Sequence, residues 1–130
     1  MKRVLISLAA VALLSAGICV FSLLFTQHAC GEIDGMRTEV MTLLDRGDLP
    51  AAHIALQQLA EAWSKYEPTL EILVRHDDLH KIAELIIEAD ANLKASDQDD
   101  LARSMALLGQ AVRHLIAEEE LRLSNILSIC

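Results

Sequence analysis

Aromatic side chains are scarce in this chain: two phenylalanines, one tryptophan and one tyrosine in 130 residues. Only Trp63 and Tyr66 lie beyond the first 25 positions, so the core has to be built from leucine, isoleucine and alanine, which suits helix packing. Alternation of apolar and polar residues is missing throughout, and that excludes half-buried strands. No glycine-rich phosphate loop and no nucleophile elbow occurs, and the acidic residues lack the glycine turn of a calcium loop. The one histidine near a cysteine in sequence is His28, two residues before Cys30. Enzymatic activity and a bound cofactor are therefore not expected. Basic residues are also few, 11 against 19 acidic ones.

What the chain does have is a run of 22 residues without a charge, Val4 to Phe25. At a rise of about 1.5 Å per residue it extends roughly 33 Å, enough for a hydrocarbon core of about 30 Å. A cleaved signal peptide would also begin with Met1, Lys2, Arg3 and an apolar stretch, but the cleavage chemistry is poor. Gln27 occupies a place that needs a small residue, and a cut after Gly17 would leave Ile18 to Phe25 as a hydrophobic N-terminus. A lipoprotein reading fails because neither Cys30 nor Cys19 follows a suitable lipobox. Residues 1–27 are thus expected to be an uncleaved signal-anchor in the cell membrane. Lys2 and Arg3 precede the span while Glu32 and Asp34 follow it, which places the N-terminus in the cytoplasm and the C-terminal domain outside.

Beyond the anchor the composition changes. Nine basic residues face all 19 acidic ones there, a formal charge near −10. That charge disfavours nucleic acid and electrostatic adhesion to an anionic bilayer. Cys30 and Cys130 are the two cysteines outside the span; free thiols are the expectation, with one bridge between them as the alternative.

Residues 28–130 read as one all-α domain. Ile33, Met36, Val40, Leu43 and Leu44 mark a first helix over about 33–46, continuous with the anchor or bent near Gly31 and Gly35. Asp48 as N-cap and Pro50 in the first turn open a second helix over 49–67, with Ala52, Leu56, Leu59, Ala60, Trp63 and Tyr66 on one face. Pro68 is expected to end or kink it. A third helix over 69–94 carries Ile72, His76, Leu79, Ile82, Ile86, Ala89 and Leu93, so His76 falls on its apolar stripe, in one layer with Trp63. Ser96 or Asp97 caps a fourth helix over 97–127, which contains Gly109. Short loops between four helices imply an antiparallel up-down-up-down bundle behind a single transmembrane helix, with the C-terminus returning to the bilayer.

The arrangement of Trp63, His76-Asp77-Asp78-Leu79, the acidic Ala117-Glu118-Glu119-Glu120-Leu121 and the closing Asn125-Ile126-Leu127 resembles an uncharacterised bacterial family. That family is a domain-of-unknown-function group of short, N-terminally anchored helical proteins, and the similarity covers most of the chain. The resemblance implies a membrane-tethered helical domain and supplies no activity, cofactor or site.

One set of residues has metal-ligand chemistry. His76 and His80, and His114 and Glu118, are i,i+4 pairs, and an antiparallel hairpin turning near Ser96 brings residue 78 level with residue 114. Three imidazoles and a carboxylate suit Zn²⁺. A core histidine at 76 and solvated side chains at the other positions are the favoured account, so no metal is expected. Two functions follow. The preferred one is a membrane-tethered interaction or structural module that offers its bundle to an envelope or integral membrane protein or to a second copy. The alternative is a metal-binding or sensory domain using His76, His80, His114 and Glu118.

Overall fold

A computed structural model describes residues 1–129 and consists of four helices: α1 (Lys2–Asp45), α2 (Leu49–Leu73), α3 (His76–Lys94) and α4 (Gln98–Ile129). No strand occurs among the described residues. Cys130, and with it the expected alternative bridge to Cys30, lies outside them.

The first helix is uninterrupted for 44 residues, so no separate helix begins at 33. Gly31 and Gly35 each lower helix stability by about 1 kcal/mol relative to alanine, but both face outward with no neighbour near the Cα. Ala29, Cys30 and Ile33, buried between them and around them, hold the helix in register. By length and composition α1 is the one described helix able to cross a membrane, and none of its most apolar 18-residue window is buried.

The loops obey local chemistry. Gly47 takes a positive φ of 75°, and the amides of Gly47 and Asp48 close back on the carbonyls of Leu44 and Leu43, satisfying the end of α1. Asp48 then accepts the Ala51 amide at 3.2 Å as the N-cap of α2, with Pro50 in the first turn as its sequence position requires. The α3–α4 link repeats the pattern with Ser96 in the left-handed position (φ 58°), while Asp97 caps α4 by accepting the Asp100 amide at 3.1 Å.

Pro68 does not end α2. It is exposed within a helix that runs on to Leu73. An internal proline costs about 3 kcal/mol, and the burial of Leu70, completely shielded, with the packing of Leu73 offsets it. The break falls instead at Val74 and Arg75, both extended, so α3 starts at His76 rather than 69.

Each helix packs against two others, α1 on α2 and α4, and α3 on α2 and α4. Ile33 and Val40, Leu56 and Leu59, Leu79 and Ile82, and Leu101, Met105, Leu108 and Leu115 form the shared core. Trp63 joins it at 4% exposure. His76 does not, a departure from the sequence reading: it is exposed, and the Trp63 indole donates to Glu67 at 2.7 Å. Gly109 leaves room for an α1 side chain, since a Cβ there would lie 2.8 Å from the Arg37 guanidinium.

Candidate functional site

The seam between α3 and α4 brings together the groups with the most chemistry. Asp78 sits in the first turn of α3, where a helix favours acidic residues, and the buried Leu79 beside it fixes its backbone. His114 and Glu118 stand one turn apart on α4, held by the buried Leu115. The His114 Nε2 lies 3.1 Å from a Glu118 oxygen and 3.9 Å from Asp78 Oδ1. One ligand atom from each of the three falls within 4.8 Å of the others.

Two open clefts meet at Asp78. One, of about 390 Å³, is lined by Lys81, Leu107, Gln110, Ala111 and His114. The other, of about 280 Å³, runs past Arg75, Glu118, Arg122 and Asn125. Burial, followed by the neighbouring Glu118 carboxyl, raises the Asp78 pKa from its ordinary value. Glu118 moves down, chiefly through its hydrogen bond with Asp78 and then through the His114 and Arg75 charges. This arrangement can share protons or hold a cation. It has no enclosed space in which a substrate would be shielded from water.

The sequence-derived set is only half assembled. His114 and Glu118 meet as expected, but His76 and His80 stack on each other with ring centroids 6.5 Å apart on the exposed side of α3. His76 is the first residue of α3 and stands exposed ahead of the buried stripe that begins at Leu79, while Ile72 lies across the break on α2 and is itself 85% exposed. Asp78 was the missed residue. Its signals were its place level with residue 114 and its position next to the apolar stripe.

A second polar cluster lies where the apolar part of α1 enters the core. Glu119 is buried, accepts from Ser22 Oγ at 3.1 Å and pairs with Arg122 at 3.2 Å. Arg122 also donates to the Leu73 carbonyl at 2.9 Å, satisfying the C-terminal end of α2. Thr26 is fully buried with its hydroxyl unpartnered. Cys30, next along α1, has its thiol pushed up to about 12 by burial, with Asp34 and Glu119 adding to it. On the other side of α1, Phe25 meets the edge of Tyr66 at 5.9 Å, and the Tyr66 hydroxyl donates to Glu32.

A family described as Domain of unknown function (DUF4363) matches residues 20–126, most of the chain, and the chain belongs to that family. No curated protein and no solved structure matches it.

Proposed function

We propose that this member of the DUF4363 family is a membrane-tethered, non-enzymatic helical module that presents its domain to an envelope or integral membrane protein or to a second copy of itself. The observation that carries this reading is the exposure of the N-terminal half of α1. Val4, Leu5, Ile6, Leu8, Leu13, Leu14 and Phe21 are each more than half exposed, on a helix end that no other helix covers. Leaving that surface in water would be costly at about 25 cal/mol per Å², and a bilayer removes the cost.

Buried Ser22 and Thr26 facing α4 support a shorter span than composition alone suggests, ending near Phe21. Lys2 and Arg3 at one end and the acidic domain at the other support a cytoplasmic N-terminus. The pairings Ser22 with Glu119 and Arg37 against Gly109 run in opposite senses along α1 and α4. Together with Asn92 bonded to Ser104 across the α3–α4 turn, they favour the antiparallel up-down-up-down bundle, with the end of α4 returning to the bilayer surface.

The test is alkaline extraction of membranes from cells expressing the full chain, with protease added outside intact inner membranes. The expected result is full-length protein in the membrane pellet with its C-terminal domain digested. A soluble chain, or one shortened by the N-terminal segment, overturns the tether; a protected domain overturns the orientation. Crosslinking in the same membranes tests the interaction role, which predicts a discrete larger species containing this chain.

A further inference from the structure

We propose that Asp78, His114 and Glu118 form a site for one divalent transition-metal ion of the zinc class, bridging α3 and α4. The inference does not depend on the tethered-module reading, because it rests on side chains of α3 and α4 alone. Ligands at about 2.0–2.2 Å around a tetrahedral ion lie roughly 3.3–3.6 Å from one another. The observed separations of 3.1 Å and 3.9 Å from His114 Nε2 bracket that spacing, and the third pair lies within 4.8 Å. All three side chains project from backbone pinned by buried leucines, Leu79 on α3 and Leu115 on α4. The ligands are therefore largely in place before an ion arrives.

The donor set selects the class of ion. An imidazole nitrogen with two carboxylates suits zinc and its neighbours, whereas calcium takes six to eight oxygens and magnesium an octahedron of them. Three protein ligands leave a further position open, and Asp78 and His114 line a cleft together with Leu107, Gln110 and Ala111. Asp78 and Glu118 each bring a carboxylate oxygen to within 4.8 Å of the other, a pair of anionic donors that a dication can bridge. Arg75 beside both carboxylates and Lys81 on the rim are the cations that oppose it. They moderate the affinity, so the expected ion is exchangeable rather than permanently held.

The experiment uses the full chain in detergent, stripped with chelator. Zn²⁺ is titrated by calorimetry and Co²⁺ by its visible absorption, which reports coordination geometry. One equivalent is expected to bind, with the Co²⁺ bands of a four- or five-coordinate site and a raised melting temperature. His114→Ala and Asp78→Asn should each weaken binding at least about tenfold. Both should melt like the parent without metal, since the His114 side chain is 62% exposed and Asn keeps the shape of Asp. His80→Ala should bind like the parent. The proposal is overturned if the full chain takes up no zinc in tenfold excess, if His114→Ala binds undiminished, or if His80→Ala loses the ion, which would assign it to the outward-facing His76–His80 pair.

Discussion

Replacing Trp63 with alanine probes the packing of this domain most sharply. The indole is 4% exposed and lies among the side chains of the shared core. A tryptophan side chain buries up to about 250 Å², which at about 25 cal/mol per Å² amounts to roughly 6 kcal/mol of transfer free energy. Alanine retains part of that and the cavity relaxes in part, so the expected loss is about 3–5 kcal/mol. The hydrogen bond to Glu67 adds little, because that carboxylate is half-buried and regains water once the indole is gone. Against a total stability of about 5–15 kcal/mol this is a large fraction. Thermal unfolding of the full chain in detergent, followed by far-ultraviolet circular dichroism, should show the midpoint fall by about 10–20 °C. His76→Ala, at an exposed position, should stay within about 0.5 kcal/mol of the parent. A Trp63→Ala midpoint less than about 4 °C below the parent, or a His76→Ala loss as large as that of Trp63→Ala, would refute the placement of these two residues.

Two other expectations concern single positions. Cys30 should resist alkylation in the folded protein at neutral pH and react fully in denaturant, as a thiol-quantifying gel-shift assay would register; because burial lifts its pKa from 9.0 to about 12, the unfolded thiol ionises first, and native stability should fall as pH climbs from about 9 toward 12. Ser96→Gly should raise stability by about 1 kcal/mol in chemical denaturation, since a left-handed φ of 58° strains any residue with a Cβ, and a loss of stability would show that the serine side chain has a role the backbone does not reveal.

How much of this was legible in the sequence depends on whether the deciding term was local. Asp48 and Pro50 at the start of α2, and Asp97 at the start of α4, act through groups within a turn of themselves, and their positions could be read directly. The stripes from Leu56 to Trp63 and from Leu79 to Leu93 were equally plain. Pro68 misled because its local preference was outweighed by the burial of Leu70 two residues later, a tertiary term. The actual break at Val74 and Arg75 contains neither glycine nor proline to announce it. Moving that break took Ile72 out of the stripe and left His76 at the exposed first position of α3, while Asp78 in the same turn is the half-buried residue. On the α4 side no such shift occurred, so His114 and Glu118 were found where spacing put them. The burial of Ser22 and Thr26 around the end of the uncharged run is a tertiary feature that composition does not announce.

The unbroken course of α1 has a mechanical consequence. A helix of 44 residues is about 66 Å long, and the same rod that carries the apolar end is a wall of the helical core. No swivel separates the two, so the domain has a fixed azimuth about the rod. Each residue of a helix advances about 100° and 1.5 Å, and adding one residue near Val20 would turn the whole head by more than a quarter revolution while scarcely lifting it. Adding seven would restore nearly the original bearing about 10 Å further out. Which face the domain shows to its neighbours is thus geared to the length of a segment whose side chains are exposed as far as Ile18.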